Sequence, residues 1–457
     1  MKNRKRRLEY ISFYNHTGLE RHFEQMARKG WMIESISNFF WVYRRIEPQE
    51  MHFCVSYYPR ASDFDPSPSE EQQTFHDFCA HTGWKLACTW FQMQVFYNEQ
   101  SSPIPLDTDP VMEVDVLHRA CKKNFLPSHY LLLALGLLMG IQFIGEVCVA
   151  PIGVLSNASR LVTGVAYLCM LAISTTELAT YFIWHRKAKQ DALDGTFVET
   201  PSTTKFQIGI MAVLMAAVVL WLVNLFTADD PMLAWVAAVM LFGLFGVMLL
   251  VNGIKQGLKR IKASRGLNLF LTLAACFILP TALIGAVIHA GISANRNGLF
   301  DRDPAAMEHI PLSVSDFMET DQEKYIQTNR NNRTFLVGQQ TVQIYPDWKQ
   351  EGFGELPSID YTVTTVNIPA LYGWCKEQVY WEMDESRDSE IPSGHRNVLK
   401  QQDPAPWGAA EAYRVYNEEG WWLNRYLICY EESIIELRFD WEPTAADMAI
   451  AAEKLKP

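Results

Sequence analysis

Positive charge is in short supply along this chain. Forty lysines and arginines stand against 51 aspartates and glutamates, which gives a net charge of −11. The deficit lies in residues 291–457, with 15 basic and 28 acidic residues, whereas residues 1–126 hold 15 and 16. An acidic surface repels phosphate backbones and anionic headgroups. We therefore expect no nucleic-acid partner.

The chain also lacks the short motifs that common reactions need. It has no phosphate-binding glycine loop, no HExxH, no CxxC and no GxSxG, so the mechanisms built on those spacings lose their support. The acidic stretch DFMETD (Asp316, Glu319, Asp321) could bind calcium, but without a full run of oxygen ligands it is more typical of a solvated helix start. We expect that the protein is not an enzyme, and that it has no catalytic residue, no metal site and no cofactor.

Cysteine is sparse and has no metal-ligand spacing. Seven of the nine cysteines precede position 291 and are typical of buried small hydrophobes. The remaining two, Cys375 and Cys429, could form a disulfide in an oxidising compartment. Their separation in sequence says nothing about their geometry, so the pairing stays open.

Long apolar runs dominate the middle of the chain. They lie near 128–149, 161–184, 206–227, 232–252 and 268–290, and each is long enough to cross a bilayer. The basic start MKNRKRR leads into LEYISFYNHTG rather than an apolar core, which predicts no signal peptide. The sequence therefore predicts a multidomain membrane protein, with a five-helix transmembrane bundle over 127–290 between domains at 1–126 and 291–457.

Charge predicts the orientation, because basic residues flanking a span are retained in the cytoplasm. Twelve lysines and arginines flank the spans on the side of residues 1–126, and three flank them on the other side. We expect a multi-pass protein of the cell (plasma) membrane with a cytoplasmic N-terminus and an extracytoplasmic C-terminus.

The first domain reads as a duplicated β-α-β-β unit. LERHFEQMARKG places Leu19, Phe23, Met26 and Ala27 on one helical face, and EEQQTFHDFCAHTG repeats the plan with Phe75, Phe78 and Cys79. Strands follow each helix, and RLEYISFY supplies a strand in front. Each helix ends in Gly-Trp, so Trp31 and Trp84 should be equivalent and pack between helix and one shared sheet; contact with a ligand is the alternative.

Two segments resemble a known family. FYNHTGLERHFEQMARKGWMIES (13–35) and the ending PWGAAEAYRVYNEEGWWLNRYLICYEESIIELRFDWEPTAADMAIAAEKL (406–455) resemble the bacterial membrane-protein family called domain of unknown function 2812. The resemblance implies an integral membrane protein, often encoded beside a small winged-helix repressor, with no assigned catalytic residues. A doubled unit of this kind is also similar to gyrase-inhibitor-like ligand-binding domains, at the level of fold alone.

The last domain reads as α+β. RTFLVGQQTVQIYPDW predicts a strand, ALYGWCKEQVYWEM a helix, WWLNRYLICYEESIIELRFDW a hairpin, and Thr444 caps a final helix with Asp447 at its third position. The domain holds many tryptophans, and most should pack in its core. An exposed subset would mark a binding face for an envelope ligand or peptide.

One polar set stands out inside the apolar runs. Thr163, Tyr167, Ser174, Glu177 and Tyr181 recur at helical spacing on one face of the second span. A carboxylate in a bilayer costs roughly 2.5–3.5 kcal/mol unless it is protonated or paired. Glu177 is therefore either a hydrogen-bonded tie between helices or a proton or solute site.

These features favour a sensor or regulatory protein that couples an outer domain to a cytoplasmic module, and through it to a cytoplasmic regulator. The alternative is a small transporter or accessory permease subunit that uses Glu177. The odd number of spans and the absence of a sequence repeat between helix pairs weaken that alternative.

Overall fold

The computed structural model describes residues 3–37, 40–66, 68–106, 108–227, 231–296, 310–347, 356–388, 390–392 and 394–456. The chain divides into two compact units. The first comprises residues 1–139 and 165–300, and the second comprises residues 140–164 and 301–457. The division into three domains drawn from the sequence stays a prediction.

The N-terminal module has the predicted β-α-β-β order twice, which confirms the duplication at the level of element order. Its elements are β1 (Arg4–Arg7), α1 (His16–Arg28), β2 (Trp31–Ser35), β3 (Trp41–Arg45), β4 (His52–Tyr57), α2 (Glu70–His81), β5 (Lys85–Trp90) and β6 (Met93–Asn98), followed by α3 (Pro110–Lys123). Each half forms its own antiparallel sheet, in the orders β1-β3-β2 and β4-β6-β5. The expectation of one shared sheet was therefore wrong, although the two halves pair their strands in the same way.

The first helix forms as its sequence dictates. The Asn15 side chain accepts a hydrogen bond from the backbone of Gly18 and caps α1. The predicted face of α1 is buried, and Gly30 ends the helix with φ +77°, a conformation that favours glycine. The face predicted for α2 from Phe75, Phe78 and Cys79 is only partly correct, because Cys79 is buried but Phe78 is 61% exposed.

Within the described ranges, five helices are long and apolar enough to cross a membrane. They are α4 (Phe125–Val149), α6 (Ala158–Leu193), α7 (Thr204–Thr227), α8 (Pro231–Arg260) and α9 (Arg265–Arg296), and a short α5 (Pro151–Leu155) lies between the first two. All five runs predicted from the sequence are found as helices. The helix α6 extends nine residues beyond its predicted end at position 184, because the polar residues that follow continue its hydrogen bonding.

Small residues bring neighbouring helices together. A Cβ atom added at Gly136 of α4 would lie 3.0 Å from Leu171 of α6, and one at Gly243 of α8 would lie 2.8 Å from Leu283 of α9. Such close approach is typical of packing between membrane helices. Most other side chains of the five helices remain exposed, as expected of surfaces that contact lipid.

The C-terminal domain is built on a seven-stranded antiparallel sheet of order β10-β11-β12-β13-β9-β8-β7. Its elements are β7 (Tyr325–Arg333), β8 (Val337–Pro346), β9 (Ile359–Val366), α10 (Pro369–Met383), β10 (Asn397–Gln402), β11 (Glu411–Asn417), β12 (Trp421–Cys429), β13 (Ser433–Phe439) and α11 (Ala445–Leu455). The predicted helix at α10, the hairpin β12–β13 and the Thr444–Asp447 capping box are all present. The domain is α+β, as expected.

Side chains that alternate along the strands of this sheet pack into two separate hydrophobic cores. Leu427 and Ile434 pack with Val379 of α10, in a core that also takes in Ile152 of α5. Residues one step along the same strands, such as Ile428, pack with α11 instead. Both faces of the sheet therefore carry a helix, as the two-residue period of strands allows.

Candidate functional site

Glu177 is fully buried on α6 and receives three hydrogen bonds on one carboxylate oxygen. Ser12 Oγ and Gln207 Nε2 each lie 2.9 Å from Oε1, and the hydroxyl of Thr203 donates the third bond. The other oxygen, Oε2, has no hydrogen-bond partner in the described parts of the chain. Ser12 precedes α1, whereas Thr203 and Gln207 lie at the start of α7. One carboxylate thus joins the N-terminal module to two helices.

The loop between α6 and α7 strengthens this junction. Thr200 Oγ1 donates to Asn15 Oδ1 at 2.7 Å and lies 2.7 Å from Thr17 Oγ1. Ser12 Oγ lies 2.9 Å from Thr203 Oγ1. These side chains are short and mostly buried, so little conformational entropy opposes their contacts. We call this set the first anchor; it comprises Ser12, Asn15, Thr17, Glu177, Thr200, Thr203 and Gln207.

A second anchor lies between the β4–α2 loop and the α8–α9 connection. Asp63 pairs with Lys255, and its other oxygen lies 3.5 Å from Lys259 Nζ. Asn268 Nδ2 donates to the carbonyl of Phe64 at 3.3 Å. Arg265 Nε lies 3.9 Å from Asp65 Oδ1. The second anchor is defined by residues 63–65 together with Lys255, Lys259, Arg265 and Asn268.

The other residues of the polar face predicted on α6 differ in burial and in the groups they contact. Ser174 and Tyr181 are fully buried, whereas Tyr167 is half-buried and Thr163 is exposed. The Ser174 hydroxyl donates to the carbonyl of Met170 at 2.7 Å, within its own helix. The face therefore does not converge on one site, and a functional role for these residues stays a prediction.

Tyr181 belongs to an aromatic cluster with two histidines. Its hydroxyl lies 2.6 Å from His118 Nδ1, and the His118 and His185 rings stack with centroids 4.1 Å apart. Burial, followed by repulsion from His185, lowers the pKa of His118 to about 4. His118 is therefore neutral near pH 7. The Tyr14 ring, 5.3 Å from that of Tyr181, extends the cluster into the N-terminal module.

The two anchors were missed in the sequence, although a signal for each was present. The stretch TPSTTK (200–205) is rich in short hydroxyl side chains, and SDFD (62–65) carries two carboxylates opposite the basic stretch of residues 255–265. Complementary charge between an acidic loop and a basic loop indicates a contact only once both loops are known to lie on the same side.

Trp31 and Trp84 both follow a glycine of positive φ, +77° at Gly30 and +87° at Gly83. Their environments differ. Trp84 is 4% exposed and donates from Nε1 to the carbonyl of Ile104 at 2.9 Å. Trp31 is half-buried, with Lys5 and Arg45 at 5.3 and 5.0 Å from its ring. Only Trp84 has the fully buried position that the sequence suggested for both.

Cys375 and Cys429 are free thiols in one hydrophobic core of the C-terminal domain. Burial raises the pKa of both thiols to about 11. A thiol in that state is a poor nucleophile near neutral pH. The structure thus holds these cysteines as buried small hydrophobes and contains no bond between them.

The C-terminal domain also presents an exposed aromatic and polar face. Trp421 is 70% exposed and Trp422 44% exposed. Trp422 borders a cavity of about 710 Å³ on the sheet, where Arg425 and Arg438 stand opposite one another on neighbouring strands. Two adjacent like charges are unfavourable without a partner. Arg425 pairs with Glu436 at 3.5 Å and Arg438 with Asp360 at 3.9 Å, so both arginines have carboxylate partners on this polar face.

Searches of curated proteins and of solved structures found no match. Residues 4–127 match the family described as "Protein of unknown function (DUF2812)". The match spans the N-terminal module, from β1 to the start of α4, and ends before the C-terminal domain. The resemblance of residues 406–455 therefore stays a prediction, whereas the N-terminal module is a domain of the DUF2812 family.

Proposed function

We propose that the protein is a membrane-bound sensor or regulator, with the N-terminal module in the cytoplasm and the C-terminal domain outside the cell membrane. The excess of basic residues beside the module supports this orientation. So do its contacts, because the module binds α6–α7 and α8–α9 on the side where their connected ends carry most of the basic residues of this region, namely Arg186, Lys187, Lys189, Lys205, Lys255, Lys259, Arg260, Lys262 and Arg265. A polar ligand at the exposed face of the C-terminal domain would supply the signal.

The double attachment of the module is the observation that carries the proposal. The first anchor holds α6 at Glu177 and the start of α7, and the second anchor holds the end of α8 and the start of α9. A shift of one helix pair relative to the other changes the distance between the anchors and forces the module to move or to release one of them. Small helix shifts are a common input to such two-state elements.

Transport through Glu177 is the weaker alternative. Glu177 lies about 28 Å along α6 from Ala158, since each helical residue adds about 1.5 Å. If the hydrocarbon layer, roughly 30 Å thick, begins at Ala158, this distance supports a position of Glu177 near its cytoplasmic edge. Three donors already occupy one oxygen of its carboxylate. A permeation site in the middle of the bundle is therefore not what its surroundings favour.

Genetic complementation separates the two functions. The gene is deleted from its host. It is then restored at matched expression as the wild type, as Glu177→Gln, or as the double variant Asp63→Asn/Asp65→Asn. The transcript profiles of the three strains are compared. Glu177→Gln retains an acceptor oxygen, so we expect it to restore the profile. The double change removes the charges of the second anchor, so we expect it to fail.

Asp77→Asn, at an exposed position on α2, is the matched control and should behave like the wild type. The proposal fails if the double change restores the profile fully. It also fails if Glu177→Gln loses both complementation and a solute flux that the wild type catalyses in reconstituted vesicles.

A further inference from the structure

The segment between β1 and the first anchor presents apolar side chains at the surface. Leu8 is 76% exposed and Tyr10 is 45% exposed, whereas the Glu9 side chain between them is largely buried. Such alternation is typical of an extended chain, in which successive side chains point to opposite sides. Leu8 and Tyr10 therefore share the outer side, and neither belongs to a hydrophobic core that the structure describes.

A third exposed apolar side chain lies at the same end of the sheet. Arg7, the last residue of β1, pairs with Trp41, the first residue of β3. Leu8 follows Arg7 in the chain. Phe40, which is 47% exposed, precedes Trp41. Because the two strands are antiparallel, Leu8 and Phe40 leave the sheet side by side. We call Leu8, Tyr10 and Phe40 the apolar tip.

The apolar tip lies next to the junction with the second long apolar helix. Ser12, two residues after Tyr10, donates a hydrogen bond to Glu177 of α6 at 2.9 Å. Two residues of chain span at most about 7 Å, so Tyr10 is held close to this junction. Under the proposed function the junction lies at the cytoplasmic side of the bilayer. The lipid-facing surface of α6 then continues onto the apolar tip.

Positive charge lies beside the tip on the same two strands. Arg4, Arg6 and Arg44 are exposed, and Arg4 stands directly opposite Arg44 in the pairing of β1 with β3. Like charges at opposed positions are unfavourable unless an anion offsets them. Arg4 pairs with Glu34, but Arg6 and Arg44 have no ion pair in the part of the chain that the structure describes. Two guanidinium groups are thus available to an anionic partner.

An apolar tip bordered by arginines matches the two parts of an anionic bilayer surface. Apolar side chains enter the boundary between headgroups and acyl chains, while basic groups attract the lipid phosphates. Arginine suits this role because its planar fork binds two phosphate oxygens at once.

Resting on the membrane placement in the proposed function, we propose that the apolar tip, with Arg6 and Arg44, is a docking surface for anionic phospholipids of the cytoplasmic leaflet. The tip inserts among the lipids, and the two arginines select the headgroup. The docked segment runs directly into Ser12 of the first anchor. The lipid composition of the leaflet therefore acts on the module at that anchor.

Photo-cross-linking tests which lipid lies at the tip. The photoreactive amino acid p-benzoylphenylalanine replaces Tyr10 in the full-length protein, in nanodiscs of equal parts phosphatidylcholine and phosphatidylglycerol. Mass spectrometry counts the lipid adducts after irradiation. We expect adducts with phosphatidylglycerol to exceed those with phosphatidylcholine by about fivefold or more, the preference that one basic residue near an anionic surface supplies. The same amino acid at Glu50, an exposed position beyond the other end of β3, should give no lipid adduct.

Two double variants test whether the arginines select the headgroup. Arg6→Gln with Arg44→Gln should lower the ratio of phosphatidylglycerol to phosphatidylcholine adducts at Tyr10 by about threefold or more. Arg28→Gln with Lys29→Gln removes the same charge at the end of α1 and should leave the ratio unchanged. All four altered side chains are exposed, so both variants should fold.

A second probe position separates failure of the docking surface from failure of the membrane placement. Leu138 of α4 is 62% exposed, so p-benzoylphenylalanine there should collect lipid of either headgroup if α4 crosses the bilayer. Adducts at Leu138 but not at Tyr10 would overturn the docking surface and leave the proposed function standing. So would adducts at Tyr10 in proportion to the lipid composition, or a ratio that responds equally to both double variants. Adducts at neither position would overturn both.

Discussion

Ser12 donates a hydrogen bond to Glu177 from 165 positions away in the chain, at 2.9 Å. The bond links a segment of the DUF2812 domain to the second long apolar helix. Because both side chains are almost fully buried, the contact is shielded from competing water. The N-terminal module and a long apolar helix thus share one buried polar junction.

Glu177→Ala should destabilise the protein far more than Glu177→Gln. Alanine leaves the donors of Ser12, Thr203 and Gln207 without an acceptor, at about 1–3 kcal/mol for each group that finds no other partner. Glutamine retains an oxygen for them. Thermal unfolding in nanodiscs should show a large fall in melting temperature for Glu177→Ala and a small one for Glu177→Gln. Ser174→Ala is the control, because among the described residues the Ser174 hydroxyl bonds to its own helix. Equal losses of stability for the two Glu177 variants would contradict the junction.

The ion pair between His16 and Glu113 should stabilise the module in a pH-dependent way. Burial lowers the pKa of His16, but the hydrogen bond and charge of Glu113 outweigh it, so the pKa lies above the ordinary 6.5. The folded state then binds the proton more tightly than the unfolded state, and the stabilisation is complete below about pH 6.5 and lost as the pH rises through the raised pKa.

The measurement is the difference in melting temperature between the wild type and Glu113→Gln across this range. The lowered pKa of His118 changes stability with pH in the opposite direction, but it is common to both proteins, so the difference in melting temperature removes it. We expect the gap to be largest at low pH and to close as the pH rises. A gap that widens with rising pH would show that the pair does not hold a proton on His16.

Trp84→Ala should cost more stability than Trp31→Ala, despite their equivalent positions after a glycine. Trp84 is 4% exposed, and removing so large a core side chain costs about 3–5 kcal/mol. Trp31 is half-buried, so the change there leaves a smaller cavity. Chemical denaturation of both variants decides the order. Equal losses would mean that Trp31 is as deeply packed as Trp84.

Cys375 and Cys429 should resist alkylation in the folded protein and react fully once it is denatured. Both are buried, and the pKa of each thiol is raised to about 11, so little thiolate is present near neutral pH. Mass spectrometry after maleimide treatment measures this, with the denatured protein as the positive control. A peptide pair joined through these two cysteines would contradict the free thiols.

Local patterns in the sequence were sufficient for most elements, and non-local contacts account for what they missed. Helical periodicity and the Gly-Trp signals placed α1 and α2, but they could not show that α2 leaves Phe78 exposed. The alternating segment 7–14 predicted a strand, whereas β1 is Arg4–Arg7 and the buried residues after it contact α6 and its loop instead. Such contacts depend on tertiary packing, which overrides β propensity.

Glu177 illustrates the same limit at the candidate site. The sequence marks it as a polar residue within an apolar run, which is either a hydrogen-bonded tie between helices or a proton or solute site. Its donors are Ser12, Thr203 and Gln207, all outside the runs predicted to span or at the edge of one. Spacing along a helix identifies a face, but it cannot identify which distant segment covers that face.

The most direct test of the coupling account is a reversible cross-link in the first anchor. The hydroxyl oxygens of Ser12 and Thr203 are 2.9 Å apart, so Ser12→Cys with Thr203→Cys should form a disulfide in native membranes under mild oxidation, detectable by mass spectrometry and absent from either single variant. If the module reports helix movement, oxidation should fix the transcript profile in one state, and reduction should restore the response. A cross-link that forms completely and leaves the response unchanged would contradict the account.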